Sequence, residues 1–171
     1  RSQYYGHPTL VRPYRWVVGL LAGVPSVVYG FWGLTVLVPL IAAYQAPGAS
    51  LIAGVLILTL MILPTVALTA EAAFMAVPST TLQAAHALGM KKSAITLRVL
   101  LPSAKKGLVA GTILAIGRAL GETMALLMVT GNVVQIPTSI FDPVRTLTAN
   151  IALEMAYAMG DHRASLFFSG L

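Results

Sequence analysis

Two opposite charges, Arg118 and Glu122, stand four residues apart inside a long apolar run. On a continuous helix that spacing puts both on one face. A charge near the centre of a bilayer costs roughly 2.5–3.5 kcal/mol on insertion scales, so the pair needs a physical reason. One reading is a neutralising ion pair that only locks helices together. The other is an anion-binding point on a translocation path. An arginine stays charged and offers a fork of donors that suits oxyanions such as phosphate. Glu122 would then hold Arg118 in place and keep the anion from binding too tightly to leave.

Other chemistries find little support. Gly89-Met90-Lys91-Lys92-Ser93 has a faint look of a phosphate-binding loop. That loop needs a glycine directly before its lysine and another five residues earlier, so that backbone N–H groups cradle the phosphates. Neither glycine is present, and ATP hydrolysis is not expected of this chain. His7, His86 and His162 are scattered without partners at metal spacing. There is no cysteine for a disulfide, a thiolate site or a thiol nucleophile. Neither a nucleophile elbow nor an HExxH pattern occurs.

The elements that must position the charged pair are read from composition. Of 171 residues, 57% are hydrophobic and only 9% charged, against about 25% charged in a soluble domain. The class is an all-α, polytopic transmembrane helical bundle. Three stretches reach the roughly 20 apolar residues that a bilayer requires. The first is expected from about Trp16 to Tyr44, kinked at Pro25 and Pro39. The second runs from about Leu51 to Ala70 and bends at Pro64. The third runs from about Leu108 to Val129 and carries Arg118 and Glu122. A fourth span is expected to start near Ala164. The chain opens at Arg1 without an initiator Met or a signal-peptide pattern. It therefore reads as an internal part of a longer protein, with spans missing at one or both ends.

Small residues recur every four positions at Gly107, Gly111 and Ala115, and again at Gly117 and Gly121. That spacing lets helices approach closely in lipid, which makes the third span central to the bundle. Tyr4, Tyr5, Tyr14 and Trp16 suit an interfacial belt before the first span.

Basic residues set the orientation. Arg1, Arg12 and Arg15 precede the first span, and Lys91, Lys92, Arg98, Lys105 and Lys106 lie between the second and third. The positive-inside rule places both groups in the cytoplasm. The turn Gln45-Ala46-Pro47-Gly48 and the 131–163 segment then lie outside. Topology explains the net charge of +6 better than nucleic-acid binding, because no aromatic residues interleave with the basic ones. In the outer segment, Leu147, Ile151, Met155 and Ala158 would line one apolar face of a helix from Thr146 to Ala158. Asp142, Arg145, Glu154, Asp161 and Arg163 are candidates for a polar docking rim.

The stretch between the second and third spans is too long for a simple connector. A short helix is expected from near Leu82, capped by Ser79, Thr80 or Thr81 after the break at Pro78. Gly89 would stop it in a left-handed turn. A second short helix would run from about Lys92 to Leu101, and Pro102 would turn the chain into the third span.

Within residues 78–102 the sequence resembles the cytoplasmic coupling loop of ABC importer permeases: Glu-Ala-Ala, three residues, Gly, nine residues, then Ile-x-Leu-Pro. Gln83-Ala84-Ala85, Gly89 and Val99-Leu100-Leu101-Pro102 keep the whole spacing, with Gln for Glu and Val for Ile. Glu71-Ala72-Ala73 is a decoy, since its glycine position is occupied by Val77. The resemblance implies that the loop seats in a groove on a separate ATPase. Small residues such as Ala84 and Ala85 would allow close entry.

Three further stretches resemble the phosphate-specific ABC permeases, and the C-type more than the A-type subunit. They are Leu21-Ala-Gly-Val-Pro-Ser-Val-Val-Tyr-Gly30, Gly117-Arg-Ala-Leu-Gly-Glu-Thr-Met-Ala125 and Leu147-Thr-Ala-Asn-Ile-Ala-Leu-Glu-Met-Ala156. The resemblance implies the type I importer permease fold, a single permease domain over residues 1–171, and residence in a bacterial or archaeal inner membrane. It implies a phosphate path that includes Arg118, Glu122 and Thr123. The implied partners are an A-type permease, an ATPase dimer and an extracytoplasmic phosphate-binding protein. ATP and magnesium would be bound by the ATPase, leaving this chain without a cofactor. Two alternatives stand beside this: a permease for sulfate, molybdate or another oxyanion, and a membrane subunit that reports phosphate status.

Overall fold

The computed structural model describes the backbone of residues 8–170 and the side chains of residues 15–170. Arg1, Tyr4, Tyr5 and His7 lie outside the described residues, as do the side chains of Arg12 and Tyr14. The described backbone is helical: α1 (Pro8–Gly23), α2 (Ser26–Tyr44), α3 (Leu51–Met75), α4 (Ser79–Ala87), α5 (Lys92–Leu120), α6 (Met124–Val129), α7 (Leu147–Glu154) and α8 (Gly160–Ser169). Among the described residues there is no β-strand, and only one isolated bridge joins Gly131 to Val144. Three of these helices, α2, α3 and α5, are long and apolar enough to cross a membrane.

Several expected boundaries move. The run from Trp16 to Tyr44 is not one kinked helix. α1 ends at Gly23, and Pro25 has an extended ψ of 142° before α2 begins. The residue before a proline avoids the helical region, so Val24-Pro25 separates two helices. The second span continues past Ala70 to Met75, which puts Glu71-Ala72-Ala73 in its last turns. The third helix starts at Lys92, well before Leu108, and ends at Leu120 instead of Val129. Pro102 does not turn the chain.

Pro39 and Pro102 are accommodated alike. Each follows a π-helical turn, at Gly33–Leu37 and Thr96–Leu100, by two residues. A proline ring inside a helix clashes with the carbonyl four residues back and offers it no N–H. The wider π turn loosens the backbone at that carbonyl, and the helix continues.

The chain divides into two compact units: Arg1–Gly23 with Ile62–Gly117, and Val24–Met61 with Arg118–Leu171. In the first, Ala73, Val77, Leu100 and Ala104 form a buried cluster, with Phe74, Leu82 and Leu108 packed against it. α3 and α5 approach closely here. A Cβ at Gly107 would lie 2.7 Å from the Ala73 Cβ, and one at Gly111 would lie 2.5 Å from Thr69 Oγ1. The first small-residue repeat is therefore a packing seam. In the second repeat, a Cβ at Gly117 would meet nothing within 4 Å. Glu71 pairs with Arg15 of α1 at 3.0 Å.

In the second unit the core is Ala53, Ile57, Ala125 and Val129, all fully buried, with Tyr29, Leu37, Val38, Ile41 and Met128 around it. Gly33, at the start of the π turn, has room for no side chain: a Cβ would lie 2.8 Å from both Ile57 and Val129. A Cβ at Gly30 would fall 2.7 Å from the Ala125 Cα. The first N–H groups of a helix lack partners within it. At α3 they are satisfied from elsewhere: Ser50 N–H donates to the Val129 carbonyl, Leu51 to Asp142 and Ile52 to Ile140.

Candidate functional site

The apolar run that carries Arg118 and Glu122 is broken between them. α5 closes at Leu120, Gly121 to Thr123 are non-helical, and α6 starts at Met124. Arg118 is half-buried in the last turn of α5, where a cation complements the negative end of the helix dipole. Glu122 lies on the break itself and is 8% exposed. The two residues share a unit, but the one-face argument from a continuous helix does not hold. Glu122 Oε1 accepts a hydrogen bond from the Ala125 N–H at 3.0 Å, which makes the carboxylate a cap on α6. Its N–H donates to the Ala119 carbonyl at 3.2 Å. Thr123 is half-buried and donates to the Gly121 carbonyl at 3.3 Å.

The 131–163 segment reaches this break directly. Thr148 Oγ1, on the first turn of α7, donates to the Glu122 carbonyl at 2.7 Å. α7 is capped by Thr146, whose hydroxyl accepts from the Ala149 N–H. Its buried position is Ala149. Of the expected apolar face, Leu147 is 67% exposed, Ile151 and Met155 are half-buried and Ala158 is buried, and α7 ends at Glu154, short of the expected Ala158. Arg145 Nε donates to the Asn132 carbonyl, and Nη1 donates to Asn150 Oδ1 and Glu154 Oε1. Glu154 Oε2 also meets His162 Nε2 at 3.3 Å. Asp142 Oδ2 takes the N–H groups of Thr138 and Ser139 and the Thr138 hydroxyl. These bonds, the one from Ser139 foremost, hold its carboxyl below the usual 3.8. Three members of the expected docking rim, Asp142, Arg145 and Glu154, thus also bond within the chain while staying half-exposed. Sequence reasoning missed Thr148, Asn132 and Asn150. Their signal was local, a Thr-x-Thr at a helix start and polar residues after an apolar run, and it carried no partner identity.

In the first unit, α4 begins at Ser79 rather than Leu82. Its cap position is Pro78, with no side-chain cap bond from Ser79, Thr80 or Thr81. Gly89 has φ +72°, the left-handed stop expected of it, and its N–H donates to the His86 carbonyl. Gln83 and Ala84 are exposed, but Ala85 is 4% exposed and faces its own protein. Leu101 and Pro102 are exposed on α5. Lys91, Lys92, Arg98, Lys105 and Lys106 are exposed as well. Among the described residues, no group of three or more His, Asp or Glu side chains is placed to hold a metal.

The binding-protein-dependent transport system inner membrane component family matches residues 4–168. The chain belongs to this family. Among its relatives, the phosphate transport system permease protein PstC of Mesorhizobium japonicum is 38% identical over 95% of this chain and 56% of its own length. The probable ABC transporter permease protein YqgH of Bacillus subtilis is 43% identical over 82% of the chain and 46% of its own. PstC 1 of Mycobacterium tuberculosis is 36% identical over 85% and 49%. The chain spans about half the length of the curated relatives it matches. No solved structure matches it. Family membership and three apolar helices together make this a multi-pass membrane protein.

Proposed function

We propose that the chain forms part of the permease subunit of an ATP-driven phosphate importer in a bacterial or archaeal cytoplasmic membrane. The observation that carries this is the helix break at Gly121–Thr123, which sets a half-buried arginine just before it and a buried glutamate on it, both within an apolar run. The phosphate permeases named above support the choice of substrate. Arg118 serves as the fork that receives the anion, with Glu122 and Thr123 shaping the path beside it. The exposed Gln83-Ala84 face, turned by Gly89 and followed by Leu101-Pro102, serves as the handle for an ATPase. That partner binds ATP and magnesium and does the hydrolysis. A second permease subunit, an ATPase dimer and an extracytoplasmic phosphate-binding protein complete the assembly.

The test is ATP-driven uptake of labelled phosphate by the complete complex in proteoliposomes, with sulfate and molybdate as competitors. Uptake that resists both competitors is expected. Competition by sulfate or molybdate would reassign the anion. ATP hydrolysis without uptake would favour a reporting subunit.

A further inference from the structure

The 131–163 segment is joined to the helix break by a hydroxyl-to-carbonyl bond, and the residue that makes it is not one of Arg118, Glu122 and Thr123. Thr148 Oγ1 lies 2.7 Å from the Glu122 carbonyl, 26 residues back along the chain. It is half-buried. On one side it rests on a helix start fixed by the Thr146 cap, with Ala149 fully buried next to it. On the other side it holds the residue whose carboxylate caps α6 through the Ala125 N–H. The far end of α7 is clamped by Arg145 across Asn150 and Glu154. The peptide group of Glu122 is thus fixed from outside the break, and its side chain from within α6.

We propose that Thr148 is a positioning residue for the anion path: it sets the Glu122 backbone at the break and couples α7 to passage past Arg118. A carbonyl released at a helix break keeps a fixed direction only while a donor holds it. Without Thr148, the break can turn about Gly121, and the geometry between Arg118 and Glu122 loosens. The role in passage rests on the phosphate reading; the role at the break does not.

The variants are Thr148→Val, which keeps the shape and removes the donor, and Thr148→Ser, which keeps the donor. Two readouts are made on the complete complex. The first is hydrogen exchange over residues 120–127, which needs no substrate. Thr148→Val is expected to exchange at least tenfold faster there than wild type, and Thr148→Ser within twofold of it. Equal protection in wild type and Thr148→Val would overturn the proposal. The second is labelled phosphate uptake. Thr148→Val is expected to lower the maximal rate at least tenfold, with unchanged yield and basal ATPase activity and with rescue by serine. Wild-type uptake retained in Thr148→Val would overturn the coupling to passage. Absence of uptake by wild type would sink the phosphate reading instead, while the exchange result would still decide the role at the break.

Discussion

Glu122 has two separable duties, and amide substitution divides them. Glu122→Gln retains an oxygen that can accept from the Ala125 N–H, whereas Glu122→Ala removes that acceptor, a loss of about 1 kcal/mol for a typical hydrogen bond. Thermal unfolding of the purified complex should therefore fall for the alanine variant and stay near wild type for the glutamine variant. Uptake should fall in both if the charge itself serves the path. Arg118→Gln should abolish uptake while the complex still assembles, and normal phosphate flux in that variant would remove Arg118 from the path. Asp142 supplies a pH dependence. A carboxyl held below its usual 3.8 contributes stability that is complete above that value and disappears as pH falls through the lowered one. Proteolysis of the 136–145 loop should accelerate only in that acid window, and Asp142→Asn should make it fast at neutral pH too.

Among the helices, the close seam between α3 and α5 yields a contrast. Gly111→Val drives a Cβ against Thr69, and overpacking of this kind costs about 1–3 kcal/mol. Gly117→Ala meets open space and exchanges a flexible helical residue for a better helix former, a gain of about 0.5–1 kcal/mol. Detergent melting curves should separate the two in opposite directions, and equal melting would refute the seam. Much of this was legible in the sequence. The second span, the stop at Gly89 and the place of Glu71-Ala72-Ala73 at the end of that span follow from length and glycine placement. The break at Gly121–Thr123 was hidden because Met124 to Val129 is as apolar as the run before it, and hydrophobicity cannot register an interruption flanked by lipid-compatible residues on both sides. Pro102 misled for the converse reason: a breaker by type, it is tolerated behind a π turn that leaves no compositional trace.

For the whole molecule, the charge distribution and the proposed coupling role of residues 78–102 make one joint prediction. Gly89 adopts φ +72° with open space around it, and Asp and Asn both tolerate that conformation better than other side chains. Gly89→Asn should then keep the turn and the ATPase partner. Gly89→Asp should keep the turn, insert normally, and lose the partner through its added charge. Co-purification from membranes distinguishes these outcomes. Equal ATPase yields with both variants would place the docking surface elsewhere.

The N-terminal end of α3 has a consequence for biogenesis. Its opening amides are completed by the carbonyls of Ile140 and Asp142, about ninety residues downstream. A nascent chain will have threaded α3, turned through α4 and emitted all of α5 before those acceptors leave the ribosome. The second span is therefore synthesised early but completed late, and its first turn lacks these acceptors until the 136–145 loop folds back to close it.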